Sequence, residues 1–319
     1  MLRFSMLLLL TVASLSLAPV QSHAAAKRKF IAADSSKRRI AIVDESGKTV
    51  WEHRIGSLHD FQVLKNGNIL LQDSMTHLVE IDPKTDKVVW QYDAKKSPGN
   101  NGKRIEVHGF QRLDNGDTML AESGATRIIE VDKNGKVKKT IALKVSKPNA
   151  HRDTRLARKL SNGHYLVCHE GDGVVKEYDA AGKVVWEFAV PLFGKQRKGG
   201  HGVTAFGNQC FSAVRLTNGN TLIGTGNGHS VIEVTPKKKI VWKLDQNDLP
   251  GIQLAWVTTL QVLANGNIVI GNCHAGPKNP QIIEVTREKK VVWTFNDFQR
   301  FGNALTNSRI LTTDGKPVE

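Results

Sequence analysis

Four histidines stand where chemistry would be concentrated. His59 and His108 each lie eight residues before the glycine of an Asn-Gly pair, Gly67 and Gly116, so they hold equivalent places in a repeating pattern. His151 and His201 fall in the irregular segments that lead into the next two repeats. Imidazoles gathered in this way can hold a divalent metal, move a proton or act as a nucleophile. Each can equally do no more than hydrogen-bond a neighbouring loop, and the sequence leaves both roles open. His59 and His108 are the candidate catalytic residues, and all four form the candidate metal set. A second layer holds His169, beside Cys168 and Glu170, together with His229 and with His274 beside Cys273. No Cys-x-x-Cys or His-x-x-x-His spacing accompanies them. Basic residues run through the same segments: Lys95, Lys96, Lys103, Arg104, Arg152, Arg155, Lys195, Arg197 and Lys198. The candidate ligand-binding residues are His151, His201, His169, His274, Trp256, Arg152, Arg104 and Lys198.

What positions these residues is a repeat. Asn/Asp-Gly pairs recur at Gly67, Gly116, Gly163, Gly219, Gly266 and Gly315, in steps of 49, 47, 56, 47 and 49 residues. A tight turn leading into a Trp-bearing strand recurs at Trp51, Trp90, Trp186, Trp242 and Trp293; Lys139 stands where the third unit would carry its Trp. Each unit has four segments of period-2 apolar patterning, in the second unit Phe61–Leu64, Ile69–Gln72, Leu78–Ile81 and Lys87–Tyr92. A four-stranded module of about 45 residues cannot bury its faces alone and reads as one blade of a propeller. Residues 29–54 supply three strands without a first one, and residues 304–315 supply a first strand without the rest. Joined, they complete a sixth blade and pair the edges that would otherwise be exposed. The sequence thus predicts an all-β, six-bladed β-propeller over residues 25–319, closed by a composite blade. The Asn-Gly turns and the Lys-rich turns before each Trp must share one face. The long segments 95–107, 144–153, 191–210, 245–256 and 297–303 must emerge on the other, where function on such a scaffold generally sits.

Residues 1–24 carry Arg3, an apolar stretch from Met6 to Leu17 and a small-x-small site at Ser22-His23-Ala24, the layout of a secretory signal. The apolar run is too short for the roughly 20 residues of a membrane span, and no Cys follows it to take a lipid. The expected location is therefore secreted or periplasmic, with no membrane span. The 319-residue chain has 45 Lys+Arg against 30 Asp+Glu, a formal charge of +15. Nucleic acid is the generic partner of such a charge, yet export and the lack of an aromatic RNA-binding motif argue against it. Three cysteines cannot build a disulfide scaffold; they read as buried thiols, with a single bridge as the alternative.

The phrase Asp-x-x-Gly-Lys-x-Val-Trp at 44–51 and 179–186 resembles the repeats of bacterial quinoprotein-type (PQQ-like) propellers. That resemblance implies the fold and spans the mature chain. The quinone-binding members typically have eight blades and an adjacent pair of cysteines; this chain shows neither, so PQQ is not expected and no other organic cofactor is implied. His59-Asp60-Phe61 running to Asn66-Gly67-Asn68, and Phe211–Leu216 running to Asn218–Ile223, are similar to the exported arylsulfotransferase propellers. The similarity implies histidine roles for His59 and His108, one as sulfuryl acceptor, and an arginine in the channel. Where that arginine is expected the chain reads Cys168-His169. Leu254–Thr259 with Asn272–Gly276 also resembles uncharacterised exported propellers.

Three functions follow as expectations. The first is a monomeric binding module that takes an anionic glycan, or another small anion, at the His-rich mouth. The second is an enzyme using the channel histidines for sulfuryl transfer or metal-dependent lysis of a polysaccharide. The third is a scaffold for an envelope protein.

Overall fold

The computed structural model describes residues 26–318, so the signal-like segment lies outside the described residues. Six antiparallel sheets follow one another along the chain and close into a ring. Blade 2 runs Phe61–Val63, Ile69–Gln72, His77–Asp82 and Lys87–Asp93, close to the segments expected from patterning. Blades 3 to 6 repeat the meander over 106–142, 157–189, 212–244 and 256–295. Blade 1 is composite: Arg28–Asp34, Arg39–Val43 and Thr49–Arg54 are joined by Leu305–Thr313, which pairs antiparallel with the first of them. A two-residue strand, Lys316–Pro317, folds back on Thr312 and Thr313, so this blade carries a fifth strand that the repeat does not predict. Among the described residues the only helix is one 3-10 turn, Ala94–Lys96, and no helix is long and apolar enough to cross a membrane.

The motif residues act locally. In the Asp-x-x-Gly-Lys turn, the Asp44 carboxylate accepts from the backbone N–H of Ser46 and Lys48, each at 2.9 Å. Gly47 takes φ +83° there, a conformation costly for a residue with a Cβ. Asp132 and Asp179 make the same turn with Gly135 and Gly182. In blades 2, 4 and 5 the Trp of the last strand stands opposite a glutamate on the neighbouring strand, as Glu80↔Trp90, Glu177↔Trp186 and Glu233↔Trp242. An arginine from the next blade then covers each ring and pairs with each glutamate. Arg112 sits 4.7 Å from the Trp90 ring and 2.9 Å from Glu80; Arg287 sits 4.5 Å from Trp242 and pairs with Glu233. The indole N–H of Trp90 and of Trp242 donates to the next blade's turn, at Lys133 O and Arg287 O. In the third unit Lys139 stands opposite Glu130, which is held instead by Lys159 and the Tyr165 hydroxyl.

Each large apolar cluster is built from two adjacent blades, for example Leu70, Leu78 and Tyr92 of blade 2 with Val107, Phe110 and Leu120 of blade 3. No blade buries its own faces, which is why the sequence must repeat. Cys168, Cys210 and Cys273 are all buried free thiols, as the first reading of the sequence expected.

Candidate functional site at the long-loop mouth

Blade 3's innermost strand, Glu106–Arg112, carries the centre of the site. The ladder to its neighbour skips at this point: Val107 pairs with Glu122 and Gly109 with Ala121, leaving His108 in a bulge. A bulge frees a side chain from the in-out alternation and re-aims it. Gly109 follows because a Cβ there would meet Ala157 N at 2.5 Å and Arg155 O at 2.9 Å. Its absence lets the chain entering blade 4 press against blade 3 and deliver Arg155.

Three of the four singled-out histidines meet. His59 Nδ1 lies 3.0 Å from His108 Nδ1, and the His151 ring centroid is 5.4 Å from that of His108. Two of them, His108 and His151, converge on Glu106, which the sequence reading passed over. His151 Nδ1 lies 2.6 Å from Glu106 Oε2 and His108 Nε2 lies 3.1 Å from the same oxygen, while Arg104 bonds Oε1 through Nε and Nη2. The signal for Glu106 was its place two residues before His108 on one strand. The fourth histidine, His201, stays apart: it stacks on Trp256 at 4.8 Å and lies 5.0 Å from His274.

Charge is tightly managed below the histidines. Arg155 is buried, pairs with Glu170 and donates to His151 O. Glu170 also accepts from Gln209, with Arg152 at 3.8 Å. Asp60, fully buried, binds Arg158 through both oxygens at 2.6 and 2.8 Å, and accepts from Phe110 N and Asn307 Nδ2. One carboxylate thus ties together chain from blades 1, 3 and 4.

Burial, followed by the titratable His108 and the Arg155 cation nearby, holds His59 well below the usual imidazole pKa. Burial and then Arg155 lower His108 to about 3, overriding the Glu106 carboxylate. For Glu106, burial acts upward but is outweighed by hydrogen bonds from His108, His151 and Arg104, so it stays ionised. His59 and His108 are accordingly neutral near pH 7 beside a carboxylate.

The remaining candidates serve other contacts. His169 is buried, with Nδ1 2.7 Å from Asp153 O and Nε2 2.8 Å from the Tyr178 hydroxyl. Both nitrogens of His229 face backbone carbonyls, of Ala255 and Ala205. Trp256 packs with Leu156, Phe211 and Cys273. Lys198 exchanges backbone bonds with Phe206 in the 191–210 loop.

Two cavities bear on the channel. A cavity of about 380 Å³ opens at the mouth beside Glu106, lined by Met75, Lys95, Lys103 and Arg104. A larger one, about 940 Å³, enters from the Asn-Gly turn face, lined by apolar residues with Arg158, Arg215 and Arg309.

The fold and its repeats define a six-bladed β-propeller of the PQQ-like class. The chain belongs to the PQQ-like repeat family described as outer membrane protein assembly factor BamB, matched over residues 23–295. No curated protein matches it significantly. Among solved structures it is similar to a protein of unknown function from Bacteroides caccae, with 23% identity over 88% of this chain and 98% of that one, at a TM-score of 0.72. It is also similar to a streptogramin B lyase, with 14% identity over 86% and 83% of the two chains and a TM-score of 0.57. A third is a catalytically inactive histidine-to-alanine variant of virginiamycin B lyase from Staphylococcus aureus with quinupristin, at 12% identity, 88% and 87% coverage and a TM-score of 0.55. At these identities the likenesses show the fold alone.

Proposed function

We propose that the protein is exported and that its long-loop mouth binds an anionic ligand, an acidic glycan or another small anion. The observation that carries this reading is the cavity beside Glu106. Lys95, Lys103 and Arg104 are exposed around it. Arg104 is committed to Glu106, whereas Lys95 and Lys103 have no carboxylate partner among the described residues. The one acid in the wall, Glu106, is already saturated with donors, so the cavity presents net positive charge to solvent. Arg152, Arg197 and Lys198 extend that charge around the rim. Exposed cations of this kind attract anions strongly at low salt and weakly at high salt.

The test is binding of sulfated and uronic-acid oligosaccharides at low ionic strength, compared with the Lys95→Glu, Lys103→Glu double variant. Loss of binding in the variant and on raising salt supports the reading. Absence of binding to every polyanion tried at low ionic strength, where exposed charges are weakly screened, overturns it. Export is checked by the N-terminus of the mature protein, expected at Ala25.

A second reading, an enzyme, has one specific observation behind it. Glu106, His108 and His59 form a chain of contacts ending at a neutral imidazole, and Arg155 lies beside it, supplied by the loop before blade 4 rather than from the strand end where the arylsulfotransferase resemblance places an arginine. If His108 donates Nε2–H to Glu106, its Nδ1 accepts from His59, and His59 Nε2 keeps a lone pair for base or nucleophile chemistry. Release of phenol from an aryl sulfate, lost in His59→Ala, tests it; no turnover by the wild type refutes the sulfuryl version.

A further inference from the structure

His108 Nε2 is fully buried and lacks an aligned hydrogen-bond partner, although it lies 3.1 Å from Glu106 Oε2. A buried imidazole nitrogen held beside a carboxylate oxygen but poorly aligned with it has its hydrogen-bonding requirement incompletely met. His151 Nδ1 reaches the same oxygen at 2.6 Å, and the three ligand atoms all lie within 4.8 Å of one another. In a tetrahedral zinc site with ligands near 2.0–2.1 Å, neighbouring ligand atoms stand about 3.3 Å apart. The two histidine nitrogens thus stand 3.1 and 2.6 Å from the shared carboxylate oxygen, near that spacing, and the half-exposed His151 is the member free to adjust.

We infer that Glu106, His108 and His151 form a binding site for a divalent transition metal of the zinc class, through one carboxylate oxygen and two imidazole nitrogens. The donor set selects the metal: two nitrogens with one oxygen suit zinc and its neighbours, not magnesium or calcium, which want oxygen alone. Supporting contacts are already in place. Arg104 holds the other carboxylate oxygen and fixes its orientation. His59 sits 3.0 Å behind His108 at Nδ1, where an outer partner of a metal-bound histidine is expected. Arg155, the nearby cation, is offset by its pairing with Glu170. The three protein ligands leave a fourth position on the solvent side, beside His151. The sequence-level metal set of His59, His108, His151 and His201 is thereby replaced: His59 becomes the outer partner, and His201 takes no part.

Metal binding also fixes a tautomer. With Nε2 on the metal, His108 must carry its proton on Nδ1 and donate it to His59, whose own proton then moves to Nε2. Zinc therefore removes the lone pair that the enzymatic reading needs at His59. The inference is independent of anion binding, because its test uses the metal alone.

Chelator-treated protein is titrated with Zn2+ and separately with Mg2+ by calorimetry, with native mass spectrometry for stoichiometry. One Zn2+ per chain with micromolar or tighter affinity is expected, and no Mg2+ uptake. His151→Ala and Glu106→Gln, each confirmed folded by circular dichroism, should weaken zinc by at least about 100-fold, as losing a direct ligand costs no less than losing an outer one. His164→Ala, a turn-face histidine paired with Glu177, should bind as the wild type does. Imidazole 15N shifts should move the His108 proton from Nε2 to Nδ1 on loading. Failure to take up one equivalent of Zn2+, or wild-type affinity in His151→Ala, overturns the inference.

Discussion

Replacing His169 by Gln should flatten the acid limb of the protein's stability curve. In the fold the His169 ring is sealed from solvent, donating from Nδ1 to Asp153 O and accepting at Nε2 from Tyr178. The bond accepted at Nε2 needs the neutral ring. Burial lowers its pKa to about 4, against about 6.5 in the unfolded chain. A depressed folded pKa means the unfolded state takes up the proton first. The stabilisation is then fully present above pH 6.5 and disappears as the pH falls through the folded pKa. Between pH 7 and pH 4 the difference of roughly 2.5 pKa units, at about 1.4 kcal/mol each, removes about 3 kcal/mol. Glutamine can reach the same two partners with an amide N–H and a carbonyl oxygen, and it does not titrate. Urea unfolding of both proteins at pH 7, 5.5 and 4 therefore gives curves that converge in acid, the wild type losing about 3 kcal/mol more than the variant. Parallel pH profiles would refute the argument and would free His169 for a role at the channel.

Other outcomes are equally direct. Arg158→Ala leaves the buried Asp60 carboxylate without its bidentate partner and should cost about 3 kcal/mol, a clear drop in Tm, since breaking one side of a buried pair strands the other charge. Trp242→Ala removes the indole bond to Arg287 O and the stacked guanidinium, worth together about 2 kcal/mol. Trp51→Ala should cost less by thermal melting, because the Trp51 indole N–H is unpartnered. Below pH 6.5 the wild type should also lose stability through His108, whose folded pKa of about 3 has the same sign; His108→Asn removes that component.

The blades were legible because their determinants are local. Asp44, Gly47 and Lys48 make their turn among themselves, and Asn66 caps its own turn by accepting from Asn68 N. Trp spacing carries further information, since Trp90, Trp186 and Trp242 mark strands that the next blade's arginine covers. The composite blade was legible too, as two incomplete repeats that sum to one. The site was only partly so. Equivalent spacing placed His59 and His108 together, but loop position suggested that His201 would join them, and the pattern passed over Glu106.

The sequence by itself therefore determined the repeat, the strand order, the closure of the ring and the face on which the histidines emerge. The blades follow from period-2 patterning and turn chemistry within some 50 residues, and the closure from two incomplete repeats at the ends of the chain. Only the tertiary structure decided which side chains meet. The bulge at His108 re-aims its ring, and a missing Cβ at Gly109 brings Arg155 beside it. Asp60 and Arg158, 98 residues apart, find one another across the channel. Such contacts depend on ring closure, which sets angles and depths that no local pattern encodes. That is why the charge excess noted in the sequence resolves into Lys95 and Lys103 without carboxylate partners beside a carboxylate already claimed by two histidines and an arginine.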